Sequence, residues 1–536
     1  MMTDPHFLPY PSSRMPVVGH RGMVATSQPQ AAKAGMQILQ AGGNAIDAAI
    51  ATAAALTVTE PTSNGIGGDV FAIAWVNGEW HGLNGSGPAP AGMTPEAVRA
   101  QGHDTIPDHG LLPVTVPGGP ASWAALSARL GKLPFADLLQ PAIDLAQHGF
   151  AVSPVTSRLW ARAVSKYGHY DRPEFTPWFE HFAPGHAAPL TGDVWRSADT
   201  ARTLTRIAES KSRDFYQGEL AQQMDDFMQR HGGLLRASDL AAFEPEWVTP
   251  IGQAYRDHTV LELPPNGSGL IALQALGILE QLSAATPSDP VEGLHQRIEA
   301  VKLAFSDGLH YITEPTAMPL SADELLAPAY LAERAGLIGQ DALEPHWGKP
   351  PQGGTVYLAT ADEQGNMVSF IQSNYEGFGS GMVVPGTGIS LQNRGVSFSL
   401  DPKAINTLVP GRRPYHTIIP GFLSRNGKPV GPFGVMGGDM QPQGHVQVVC
   451  AMLDDHLNPQ AALDQPRWRW VGGRTILVEP HFPDHLAQAL ARRGHEVHKQ
   501  TESLSFGRGQ IILRQTATGS YIAGTEPRAD GVALPW

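Results

Sequence analysis

The stretch Gly353-Gly354-Thr355-Val356-Tyr357-Leu358-Ala359-Thr360-Ala361-Asp362-Glu363-Gln364-Gly365-Asn366-Met367-Val368-Ser369-Phe370-Ile371-Gln372-Ser373 decides the fold. Thr355–Ala361 and Met367–Ser373 alternate with period two, and Asp362–Asn366 supplies turn residues between them, so the pair reads as two strands of an antiparallel hairpin. Before it, residues 348–354 form a loop rich in Gly and Pro. Its two last glycines admit backbone conformations closed to other residues, so the peptide bond before Thr355 can be strained or exposed. The Thr355 hydroxyl can then attack the Gly354 carbonyl, and water releases the resulting ester. Thr355 becomes a chain terminus whose amine, with an ordinary pKa of about 7.7–8.0, can accept the hydroxyl proton. On these residues alone, a loop entering a strand is the commoner reading.

Outward from this hairpin, the chain divides by periodicity. Val24–Ser27 reads as a short strand, and Pro29–Val58 as a helical stretch of Ala, Ile and Leu interrupted at Gly42-Gly43 and ended by Glu60-Pro61. Val70–Trp75 alternates, and Asn77-Gly78 turns it into a second strand, Trp80–Leu83. Residues 117–345 read as mainly helical, with helices over Phe135–His148 (stopped by Gly149), Leu270–Leu282 and Glu292–Ser306. Beyond the hairpin, strands are expected near Gly388–Leu391, Ile418–Leu423, Gly431–Val435, Val497, Ile511–Arg514 and Tyr521–Gly524, and helices over Gln443–Leu453 and Pro483–Arg493. Helices and antiparallel hairpins in one chain point to an α+β class with helices outside packed sheets.

Composition narrows the function classes. The 536 residues are 42% hydrophobic and 16% charged, enough for a large core, and length alone would suggest three or four domains. A net charge of -13 without a basic stripe argues against nucleic acid as partner. The N-terminus, Met1 to Pro9, lacks a basic start and apolar block, and the run Ala48–Val58 is too short to span a bilayer. The expectation is a soluble, cytoplasmic protein with no membrane partner. The one cysteine, Cys450, follows an apolar run and reads as a buried thiol. His495-Glu496-Val497-His498 lacks the i, i+4 histidine spacing of a zinc protease and reads as a surface strand, so no metal is expected. Gly65-Ile66-Gly67-Gly68 lacks the Rossmann spacing, no Gly-x-Ser-x-Gly elbow occurs, and no cofactor is expected.

Ordered segments along nearly the whole chain resemble the γ-glutamyltranspeptidases, an N-terminal-nucleophile hydrolase family. They are Ala41–Ala49, Glu60-Pro61, Gly65–Asp69, Val116–Gly119, Pro141–Ile143, Pro264–Gly269 and Glu526–Gly531. The family's threonine precedes a strand, an Asp-x-x-Gly-Asn turn and a second strand, as Thr355 does here. The resemblance implies a four-layer α/β/β/α sandwich built from two associated processing products, 1–354 and 355–536. It also implies a small-molecule amide substrate and acyl transfer to water or an amine, with Thr355 as nucleophile. By the same resemblance Gly437 and Gly438 supply oxyanion amides, and Ser373 is the hydroxyl beside the nucleophile. Without it, the glycines read as a tight turn and Ser373 as an ordinary strand serine. A homo-oligomer is left open.

The resemblance breaks at the substrate grip. The Arg that pairs with the substrate α-carboxylate is replaced by Ser86, and an Asn by Tyr375. The Asp that binds the α-amino group corresponds to Ser397, its Gln neighbour to Arg394, and a Ser-Ser pair to His416-Thr417. Losing a buried charged partner weakens a ligand by about 2–5 kcal/mol. Arg394 could bind a plain carboxylate through its planar fork, or form a structural ion pair. Three functions therefore stand: a γ-glutamyl transferase or hydrolase, an acylase of the glutaryl or cephalosporin type with no α-amino requirement, and an unprocessed binding or scaffold relative.

Overall fold

The structure, a computed structural model, describes residues 13–282, 289–345 and 354–536. The glycine-rich loop up to Gly353 and the N-terminal segment before residue 13 lie outside the described residues.

Two antiparallel seven-stranded sheets form the centre. The first runs Val532–Pro535, Met23–Thr26, Gly354–Ala361, Met367–Tyr375, Asp69–Val76, Glu79–Gly85 and Glu246–Val248. The second runs Val17–Gly19, Tyr521–Thr525, Arg508–Arg514, Lys428–Met436, Gly421–Arg425, His258–Glu262 and Ile251–Tyr255. Side chains alternate across a strand, and the cores follow that parity. Tyr357, Ala359, Ala361, Met367 and Ile371 pack between the sheets with Phe422, Ile512 and Tyr521. Val356, Leu358, Val368 and Phe370 face outward, onto the helices Ala45–Thr59 and Phe135–His148. Outside the second sheet, Leu423, Phe433 and Val435 pack with the helices Gly269–Leu282, Pro290–Tyr311 and Met440–Leu453. The result is the α/β/β/α sandwich expected from the sequence. Every residue of Ala45–Thr59 is buried, which its small side chains permit. No helix among the described residues is long and apolar enough to cross a membrane.

Two expectations need correction. The segment 117–345 is less uniformly helical than its pattern suggests, because Glu246–Val248, Ile251–Tyr255 and His258–Glu262 join the sheets. Strands of three to five residues give little periodicity to read. Glu496–Lys499 is the mostly exposed strand expected, but His495 just before it is buried. Its Nε2 lies 2.9 Å from Nδ1 of buried His295, whose Nε2 meets the Gly339 carbonyl at 3.0 Å. Glu299 nearby is held by Lys302 at 2.7 Å and by the Leu343 amide at 3.0 Å. The three residues are close enough to share an ion, but most of their polar atoms are already paired within the protein.

Residues on both sides of the 354/355 bond contribute to both sheets, and residues after it cap helices before it. Asp362 accepts the Ala45 amide at 2.9 Å, at the start of Ala45–Thr59. Asp530 accepts the Val155 and Thr156 amides at 3.0 and 3.1 Å and the Ser153 hydroxyl at 2.7 Å. It thereby caps the helix Pro154–Tyr167, whose own N-cap residue, Ser153, forms no side-chain cap. Buried Arg508 pairs with buried Glu60 at 3.2 Å across the same divide. Asp530→Ala should cost about 1–3 kcal/mol, the loss of a distant cap with several acceptor contacts. The check is the thermal midpoint of the purified protein, and an unchanged midpoint would contradict this account.

Candidate active site

Parity places Thr355 on the Tyr357 face, between the two sheets, and it is buried. A bulge between Gly354 and Val356 sets Gly354 opposite Tyr375 and Val356 opposite Gln372. The Thr355 hydroxyl consequently meets Ser373, donating to its Oγ at 3.2 Å. Ser373 Oγ also accepts the Tyr375 amide at 2.7 Å.

On the facing sheet, the strand Lys428–Met436 ends in Gly437 and Gly438, with φ of 136° and 60°. Such angles strain any residue with a Cβ. The turn leads directly into the helix Met440–Leu453, and neither glycine amide has an acceptor among the described residues. Three residues past Gly438, Gln441 donates its side-chain amide to Thr355 Oγ1 at 3.3 Å, while its Oε1 accepts the Ile419 amide at 3.0 Å. Gln441 is a contact that the sequence reading missed.

Arg394 is fully buried. It donates to Thr417 Oγ1 at 2.8 Å and lies 4.4 Å above the Tyr375 ring, which a left-handed backbone (φ 75°) holds in place. Its Nε and Nη2 have no partner, and it makes no ion pair among the described residues. Burial lowers its pKa to about 10, opposed by Tyr375, Asp69 and Asp439, so it stays cationic at neutral pH. Asp439, beside the glycine turn, is the counterpart. It is buried, neither oxygen has a hydrogen-bond partner among the described residues, and it does not cap its own helix. Burial raises its pKa to about 7 against the pull of Arg469 and Arg394.

The remaining predicted positions are engaged inside the protein. His416 Nδ1 accepts the Ile418 amide at 3.3 Å, which leaves the proton on Nε2 to donate to Asp69 at 3.0 Å. Burial pushes His416 well below its ordinary pKa, so it is neutral. Ser86 donates to Asn84 at 2.7 Å in a network with Asn266. Ser397 lies in the short helical turn begun by Arg394, and its hydroxyl has no partner among the described residues. Thr355, Ser373, Tyr375, Arg394 and Thr417 thus form one connected cluster, joined to the Gly437-Gly438 turn through Gln441, whereas Ser86 and His416 are bonded to Asn84 and Asp69.

A glutathione hydrolase-like YwrD proenzyme of Bacillus subtilis (strain 168) is 35% identical, covering 97% of this chain and 99% of its own. An oxamate amidohydrolase proenzyme of Klebsiella pneumoniae subsp. pneumoniae is 33% identical over 96% and 98%. The crystal structure of a cephalosporin acylase from Bacillus halodurans matches with a TM-score of 0.97 at 55% identity, covering 100% of this chain and 99% of that one. The gamma-glutamyltranspeptidase family profile matches residues 31–536, and the chain belongs to that family.

Proposed function

We propose that the chain is a self-processing amidohydrolase or acyltransferase that uses Thr355 as its N-terminal nucleophile and cleaves amides whose acyl group carries a carboxylate. The observation that carries this reading is the buried Thr355 hydroxyl, bonded to Ser373 and Gln441 beside a glycine turn whose amides have no acceptor among the described residues. In maturation, Oγ1 attacks the Gly354 carbonyl and its proton passes to the peptide nitrogen, the C–N bond breaks to leave the Thr355 amine free, and water hydrolyses the ester to release Oγ1 and the Gly354 carboxylate. In turnover, that amine takes the hydroxyl proton as Oγ1 attacks the substrate carbonyl. It then returns a proton to the leaving amine, while the Gly437 and Gly438 amides hold the oxyanion. The two relatives named as proenzymes support the self-processing step.

Arg394, with two unspent donors beside Thr417, is the proposed carboxylate anchor. Ser397, standing where the family has an acid, favours an acylase indifferent to an α-amino group. Unpaired Asp439 favours a γ-glutamyl head, since it could accept from an ammonium. Hydrolysis of γ-glutamyl and glutaryl anilides by the purified protein separates these readings. Equal or better glutaryl turnover selects the acylase, and no turnover of either defeats the carboxylate-acyl assignment. Because the amine must be unprotonated to act, activity should rise with pH through about 7–8 before levelling. A profile flat from pH 6 to 9 would rule out the amine as base.

A further inference from the structure

We infer that Gln441 is a catalytic residue that stabilises Thr355 Oγ1 as a leaving group, a role separate from that of the oxyanion turn. The inference rests on Thr355 being the nucleophile. The Ile419 amide needs an acceptor, which fixes the orientation of the Gln441 side chain: Oε1 faces Ile419 at 3.0 Å and the NH2 faces Thr355 Oγ1 at 3.3 Å. Gln441 is fully buried, so water does not compete for the bond. One turn further along the same helix, His445 is bonded to Glu262 at 2.6 Å, which pins that helix face to the second sheet.

With a donor already on Oγ1, the Thr355 proton is directed away from Gln441, toward Ser373 in this structure. The consequence is largest when the acyl-enzyme breaks down. Water adds to the ester carbon and gives a proton to the Thr355 amine. The C–Oγ1 bond of the tetrahedral intermediate then breaks, its electron pair moves to Oγ1, and the ammonium returns the proton there. Negative charge builds on Oγ1 at that moment, and a fixed N–H donor in a dry site binds the developing alkoxide more tightly than the neutral ester oxygen. The Gly437 and Gly438 amides serve the other oxygen, that of the carbonyl. The same Oγ1 leaves during hydrolysis of the maturation ester, so both events share this donor.

The test compares Gln441→Glu with Gln441→Met in the full-length protein. Gln441→Glu keeps the shape and the acceptor for Ile419 but loses the donor, whereas Gln441→Met loses both. If Gln441 supports deacylation, both variants lose about 100-fold in kcat, as for the removal of one oxyanion donor. KM should fall with kcat, aniline release should show a burst of one equivalent per site, and intact mass should reveal the trapped acyl group. Maturation should slow in both. If Gln441 only braces Ile419, Gln441→Glu keeps wild-type kinetics without a burst, and the inference is overturned. Wild-type protein that is never cleaved at Thr355 instead removes the nucleophile reading, and this inference with it.

Discussion

Thr355→Ala leaves a single chain of 57.2 kDa, whereas the unsubstituted protein separates on a denaturing gel into fragments of 354 and 182 residues, the smaller beginning at Thr355. The expectation follows from which atom does the work. Thr355 is the residue that follows Gly354, and without its Oγ1 the ester at that bond does not form. The uncut chain also lacks the free amine, so base and nucleophile disappear together. Amide hydrolysis should fall by about 10⁴-fold or more, as for the loss of a nucleophile that acts as a unit with its base. The fold should survive. Alanine fits the buried position, and the cost is one hydroxyl bonded to Ser373 and Gln441, about 1–3 kcal/mol. A folded, uncut, inactive variant beside a cut, active parent is therefore the expected pair. If the parent is itself one full-length band, unchanged by the substitution, the chain is the scaffold relative instead.

The fragments should remain together after cutting, because the second caps helices of the first and both supply strands to each sheet. The Asp362 and Asp530 caps and the Arg508–Glu60 pair cross the divide, and each sheet contains strands from both sides.

What could be read in the sequence was local. Period two over Thr355–Ser373 placed the hairpin and the face that Thr355 shares with Tyr357, and Gly149 ended its helix where expected. The Glu526–Gly531 motif could be seen, but not its physical task. Glu526 neutralises buried Arg467, and Asp530 caps a helix nearly four hundred residues away in sequence. Gln441 left no mark either, since a glutamine after Gly437-Gly438-Asp439-Met440 differs in no local pattern from the neighbouring Gln443, which instead bonds Trp470. Its meaning depends on a contact with Thr355 that only the packing of one sheet on the other creates. The lack of partners for Arg394 and Asp439 is likewise a property of the folded interior.

That lack of partners yields the second large effect. Arg394→Met should cut kcat/KM for γ-glutamyl or glutaryl anilides by about 30- to 4,000-fold, the equivalent of 2–5 kcal/mol for removing the buried partner of a ligand charge. The loss should fall mainly on KM, and an uncharged butyryl anilide should be affected far less. Arg394→Lys should not rescue, because a single ammonium cannot reproduce two fork donors above the Tyr375 ring. Stability should move the other way. Arg394 is a buried cation with two unspent donors and no ion pair among the described residues, and apolar replacement of such groups is often neutral or stabilising by about 1–4 kcal/mol. Arg394 also helps to hold the Asp439 pKa down to about 7, so removing it leaves Asp439 largely protonated at neutral pH and spares the interior a lone anion. A less active enzyme with an equal or higher melting temperature is the signature of a charge kept for its ligand. If Arg394→Met instead melts several degrees lower and retains its preference for carboxylate-bearing acyl groups, Arg394 is structural and the anchor lies elsewhere.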